Sequence, residues 1–144
     1  HQNGNMKLGY SKISQELFDT IVNILNIKSE SKYASNIGGE MSLRLNDKNY
    51  LYDYTYKNII IEYNGDLYHA NPDFYSTNEC PNPFNKNLSA SDIWKADKDK
   101  ILCAEYHGYK VLTVWDSEYI KDKHSTVERC INFINLNRNL DLGI

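Results

Sequence analysis

A mixed α/β domain in the order α-β-β-β-α-β-α is the fold this sequence predicts, on three observations. Apolar residues recur at helical spacing in two separate stretches, the first carrying Ile13, Leu17, Phe18, Ile21, Val22 and Leu25 and the second Ile93, Trp94, Ile101, Leu102 and Ala104. Short runs rich in aromatic and β-branched residues lie between them, and one more such run, 109–115, follows the second. The length of 144 residues, 41 % of them hydrophobic, suits one compact domain with a buried core.

The first helix takes Ser14 as its expected cap, with Glu16 in the first turn where the helix dipole favours an acid. Gly38-Gly39 breaks the chain before Met41, Leu43 and Leu45, which alternate with Ser42 and Arg44 as a half-buried strand does. Residues 50–56 and 59–63 are expected as the next two strands, with Lys57-Asn58 as a two-residue hairpin turn. The span 71–88 holds all three prolines and five asparagines with no apolar period, and reads as a long loop. Ser89 or Ser91 caps the second helix and Gly108 ends it. Ser125 and Glu128 form a capping box opening a last helix that turns Val127, Ile131 and Ile134 inward.

With a formal net charge of −3, wholesale electrostatic attraction to nucleic acid or anionic lipid is not the default, so any anion site must be local. No apolar run approaches the ~18 residues of a membrane span, and no leader pattern opens the chain, so a cytoplasmic protein without a membrane partner is expected. Residues 1–6 read as a tag remnant, the cut end of a longer protein or a flexible N-terminus, and 7–144 as one domain. Cys80, Cys103 and Cys130 are odd in number and irregularly spaced, which encodes neither a disulfide framework nor a zinc cluster.

The chemistry lies in the acids. With Lys57-Asn58 as the turn, Tyr56 faces Ile59 and Asp53 falls opposite Glu62, where like charges destabilise a sheet unless a cation sits between them. With Asp47-Lys48 as the preceding turn, Asp53 faces Ser42 and Thr55 faces Glu40, which brings Glu40 to the same face. Three acids on one face of a three-stranded meander offer the oxygen ligands that Mg²⁺ prefers; a one-residue slip would move one strand's set to the other side. Taken singly, each acid also reads as part of a solvated strand face. Glu62 is the sharpest anomaly, because it follows Ile59-Ile60-Ile61, an apolar run typical of a buried strand where an ionised acid is costly.

Asp97 lies four residues from both Ile93 and Ile101, on the apolar stripe of its helix; the plainer reading pairs it with Lys95 or Lys100. Lys100 is spaced to reach the same site as a phosphate-neutralising cation. His69, four residues past Gly65, is a candidate general base or metal ligand over the carboxylates, against the plainer reading of a hydrogen-bonded loop residue. His107 and His124 suit ordinary helix-end roles.

Tyr52-Asp53-Tyr54, Ile60-Ile61-Glu62-Tyr63-Asn64-Gly65-Asp66-Leu67-Tyr68-His69, Asp97-Lys98-Asp99-Lys100 and Gly108 through Trp115 together resemble the PD-(D/E)xK nuclease superfamily. Within it the likeness is to Vsr-like very-short-patch-repair endonucleases and to the phage homing endonucleases whose motif is written EDxHD, and it runs from about Glu40 to Trp115. The resemblance implies a restriction-endonuclease-like core, α-β-β-β-α-β with a C-terminal helix. It implies Asp53 as central metal ligand, Glu40 as leading acid, Glu62 as second carboxylate, His69 as base and Asp97 as closing acid. Asn64 stands where the parent motif has lysine, which leaves that role to His69 or Lys100, and Asp66 stands where the repair enzymes carry a cysteine.

The expectation is therefore an Mg²⁺- or Mn²⁺-dependent deoxyribonuclease of homing type acting on double-stranded DNA in a bacterial or phage-infected cell. Glu40, Asp53, Glu62, His69, Asp97 and Lys100 form its site, and Asp53, Glu62 and Glu40 hold the metal. Affinity would be borrowed from an additional DNA-binding domain or a homodimer. The rivals are a mismatch-nicking repair endonuclease and a non-catalytic nucleic-acid-binding domain on the same fold.

Overall fold

The computed structural model describes residues 11–138, so the reading of residues 1–6 lies outside it. Helix α1 (Lys12–Leu25) is capped by Ser11, whose side chain accepts from the Ser14 N–H; the cap is three residues earlier than expected. A 3₁₀ turn, Lys28–Glu30, leads into β1 (Ser31–Tyr33), a strand too short to show in the sequence pattern. Strands β2 (Met41–Leu45) and β3 (Lys48–Tyr52) form a hairpin, then β4 (Tyr54–Tyr56) and β5 (Ile59–Asn64) a second.

After a stretch without helix or strand comes α2 (Ala90–Tyr106), opened by a capping box between Ser89 and Asp92, and then β6 (Lys110–Trp115). The short α3 (Asp116–Lys121), unforeseen in the sequence, precedes α4 (Lys123–Asn137). Asp122 caps α4 by accepting from the Ser125 N–H, so the expected capping box at Ser125 is replaced by a cap three residues earlier.

The mixed sheet runs β1-β4-β5-β6, antiparallel except for the parallel pair β5–β6, whose connection contains α2 as a parallel crossover requires. The β2–β3 hairpin forms a sheet of its own. This corrects the expected three-stranded meander: the run 50–56 is two strands broken at Asp53, and β1 takes the edge position beside β4 that the meander assigned to β2.

Period-two alternation along β5 then separates two cores. Ile59 and Ile61 pack with Tyr54, Val114 and the apolar faces of α1 and α4, including Leu17, Phe18, Ile21, Val127 and Ile134. Ile60 packs with Tyr52 and Ala104, against which Met41, Leu43 and Val111 lie. The molecule is thus layered, with α1 and α4 on one side of the sheet and α2 with the β2–β3 hairpin on the other. Glu62, two residues beyond Ile60, emerges on the α2 side. No helix among the described residues is long and apolar enough to cross a membrane.

Candidate active site at the sheet break

The Lys57-Asn58 turn forms as expected, with Tyr56 paired to Ile59, Thr55 to Ile60 and Tyr54 to Ile61. The preceding turn does not. Asn46 and Asp47, not Asp47-Lys48, make it, both with positive φ (51° and 62°) as a type I′ hairpin demands, and Met41 pairs with Tyr52. The register is shifted by two residues from the expected one. An even shift keeps every side chain on its face, so Glu40, just before β2, stands across from Asp53 instead of Thr55.

Asp53 sits where one strand leaves one sheet and the next enters another. Beyond the Tyr54–Ile61 pair, carboxylates replace backbone carbonyls as acceptors. Glu62 Oε1 accepts from the Asp53 N–H at 2.9 Å, and Asp53 Oδ2 accepts from the Tyr63 N–H at 2.8 Å. The two acids therefore satisfy donors that the broken ladder would orphan. Asp53 Oδ1 stays unengaged among the described residues.

Lys100 comes in from α2. Its Nζ lies 2.7 Å from Glu62 Oε2 and 5.1 Å from the centre of the Tyr52 ring, while the Tyr52 hydroxyl donates to the Lys100 carbonyl at 2.8 Å. The ammonium is thereby held by a carboxylate and an aromatic face together. The sequence shows Tyr52 only as the neighbour of Asp53 and gives it no role of its own; its contact with Lys100 comes from the tertiary fold.

The electrostatics are those of too many acids in a dry place. Glu62 is 6 % exposed. Burial, then the Asp53 charge, pushes its carboxyl up to about 8 against the pull of Lys100. Burial also raises Asp53, opposed by Lys100, the Tyr63 N–H and His69. Glu40 is raised by burial and by Asp53. Burial depresses the Lys100 ammonium, but Glu62, Asp53 and Glu40 outweigh it and raise the group. Three crowded carboxylates thus share one nearby ammonium, an imbalance that an added cation relieves.

His69 completes the arrangement at the mouth. Its Nδ1 is 2.9 Å from Asp97 Oδ2, and both side chains are about one-third exposed, 36 % and 30 %. Burial lowers the imidazole, but the bond and charge of Asp97, with Asp53 and Glu62 beyond, raise it overall. Asp97 therefore pairs with His69 and not with a lysine; Lys95 pairs with Asp99 instead. Between α2 and the strands a crevice of about 10 Å³, the size of a single water, is lined by Glu62, Asn64, Asp97, Lys100, Ile101 and Thr113.

All six residues singled out in the sequence, Glu40, Asp53, Glu62, His69, Asp97 and Lys100, thus interact in one cluster. As a metal set they need qualifying. Among the described residues no three His, Cys, Asp or Glu side chains are grouped to hold one ion, so the expected trio reduces to the pair Asp53 and Glu62 with Glu40 beside it. Mg²⁺ is characteristically held by one or two carboxylates and finishes its shell with water and substrate phosphate, so the hard oxygen donors of this pair fit it. The cysteines do not converge: Cys80 is exposed, Cys130 is buried in the core beneath α1 and α4, and Cys103 is buried beside Tyr52. No family model, curated protein or solved structure matches this chain.

Proposed function

We propose that the chain is a metal-dependent DNA endonuclease of homing type, built on a restriction-endonuclease-like core and acting in the cytoplasm. The observation that carries this reading is the convergence of the Asp53–Glu62–Lys100 group with the His69–Asp97 pair, residues drawn from two hairpins, a loop and a helix. Its position fits a general tendency of sheets with parallel strands to bind ligands beyond the carboxyl ends of those strands.

In this reading Asp53 and Glu62, with Glu40 beside them, hold Mg²⁺ or Mn²⁺. Such a cation supplies Lewis-acid polarisation of a phosphoryl oxygen and a more acidic water near neutral pH. His69 takes a proton from the attacking water through Nε2, because Asp97 occupies Nδ1 and stabilises the imidazolium that results. Water oxygen bonds to phosphorus as the phosphorus bond to the leaving sugar oxygen breaks. Lys100 supplies the positive charge that the absent lysine at Asn64 would have brought, and it faces the charge gathering on the phosphoryl oxygens. Lys86, in the loop before α2, and Lys95 and Lys98, on α2, would contact the DNA backbone.

A second reading rests on one specific observation. The reciprocal bonds of Asp53 and Glu62 to backbone donors splice the broken sheet, which is reason enough for two buried acids in a non-catalytic nucleic-acid-binding domain. End-labelled duplexes, one fully paired and one with a single mismatch, incubated with Mg²⁺ or with EDTA, separate the possibilities. Homing-type activity cuts the paired duplex in Mg²⁺ alone. A strict need for the mismatch indicates a Vsr-like repair nuclease, and binding of intact duplex without cleavage of either indicates the non-catalytic domain.

A further inference from the structure

His69 can serve the carboxylates only if the segment that carries it is held still, and that segment, 65–71, belongs to no helix or strand. Its backbone folds on itself: the N–H groups of His69, Ala70 and Asn71 donate to the carbonyls of Gly65, Leu67 and Asp66 at 3.1, 3.1 and 2.8 Å. Two side chains then tie it to two different elements of the scaffold. Asp66 Oδ2 accepts from the Ser117 N–H at 3.0 Å, and Oδ1 accepts from the Ser117 hydroxyl at 2.8 Å and from Asn71 Nδ2 at 2.6 Å. Ser117 lies in the first turn of α3, directly after β6. From α2, Trp94 Nε1 donates to the Ala70 carbonyl at 2.7 Å.

Ala70 is fully buried and has φ of 49°, a left-handed conformation unfavourable for a residue with a Cβ. Such strain persists only where the surroundings over-determine it. Here Trp94 supplies a bond and, with Ala90 and Ile93, a small apolar core around Ala70. Trp94 and Asp97 are three residues apart on α2 and therefore on one face of it, so the same helix face grips both Ala70 and its neighbour His69.

We propose that Asp66 and Trp94 are positioning residues for His69, clasping the 65–71 segment between the β6–α3 junction and α2 so that the imidazole is delivered to Asp97 beside the carboxylates. The effect on turnover rests on the endonuclease reading; the effect on His69 does not. Asp66→Asn is the sharpest probe, since the amide sets a donor against donors at nearly unchanged volume. Trp94→Phe keeps an aromatic ring and removes only the indole N–H bond and part of the packing.

The test follows the imidazole proton signals of the full chain through a pH titration, together with kcat and KM for plasmid cleavage in Mg²⁺. In both variants the His69 midpoint is expected to fall as its bond to Asp97 is lost, and kcat to drop, for Asp66→Asn on the order of a hundredfold, with KM little changed. A folded variant of Asp66 with a lower Tm but an unmoved midpoint and unmoved kcat has only a structural role there, and overturns the proposal. Should Asp66→Asn not fold, Ser117→Ala removes one bond and keeps the backbone one, with a smaller shift of the same sign expected and no shift again overturning it. If the parent chain cuts no DNA while the midpoint still falls in the variants, the clasp stands and the endonuclease reading fails.

Discussion

On the imidazole of His69 two forces oppose each other: burial disfavours the charged ring, and Asp97, at 2.9 Å, favours it. Asp97→Asn removes the second and keeps the first. Its His69 midpoint, read by NMR, is expected to drop below that of the parent chain; an unchanged midpoint would mean that the Asp97 bond is absent in solution. At this scale the sequence was most legible where a residue contradicted its surroundings. Glu62 stood out against three isoleucines and Asp97 against its apolar stripe, and both prove to be partnered inside the cluster. Asp66, Tyr52 and Trp94 contradict nothing locally. Their partners Ser117, Lys100 and Ala70 are 51, 48 and 24 residues away, and only the tertiary fold brings such pairs together.

Elements were legible in proportion to their length and periodicity. Helices α1 and α2 and the β4–β5 turn follow directly from spacing and turn chemistry. The three-residue β1 carries too few side chains to show a period, and the break falls on Asp53, a single residue of low strand propensity inside a Tyr-rich run that otherwise favours strand, too weak a local signal to end it. The β2–β3 register departs from the expected one because Asn46-Asp47, both able to adopt positive φ, outcompetes Asp47-Lys48 for the turn. What holds α1 to the sheet is packing: Phe18, with no exposed surface, stacks on Tyr54 at 5.2 Å and meets the edge of Tyr33 at 5.8 Å. Phe18→Ala is expected to cost about 3–5 kcal/mol in urea denaturation. Ile120→Ala, at a site 58 % exposed, should stay within about 0.5 kcal/mol of the parent. Equal losses in the two would contradict this division between core and surface.

Across the whole molecule the shifted groups set a pH profile. Glu16 is held below the usual carboxylate range by the Tyr119 hydroxyl and Lys123, so its contribution is present above 4.5 and lost as pH falls through its folded value. Glu62 works in the opposite sense. With a folded value of about 8 against 4.5, its ionised form is disfavoured in the fold, and stability declines as pH rises between the two. His69, raised above 6.5, stabilises fully below that value and loses its contribution as pH rises through the folded one. The Tm is therefore expected to be highest near pH 4.5 and to fall from there toward pH 8, more steeply once His69 also begins to lose its contribution above 6.5. A cation bound at the acids competes with protons there, so Mg²⁺ should raise Tm more at pH 8 than at pH 5.5. A Tm that climbs steadily to pH 8 in the absence of metal would contradict the crowded-acid description.

That the acids are a hydrolytic centre and not merely a splice in a broken sheet is tested most directly by supercoiled plasmid. The parent chain and Asp53→Asn are compared with Mg²⁺, with Mn²⁺ and with EDTA, because asparagine keeps an oxygen for the Tyr63 N–H and so spares the splice while weakening the metal site. Conversion to nicked or linear DNA by the parent in either metal, abolished by EDTA and lost in a variant of undiminished Tm, is the predicted result. Equal cleavage by the two proteins, or none by a folded parent in either metal, would contradict it.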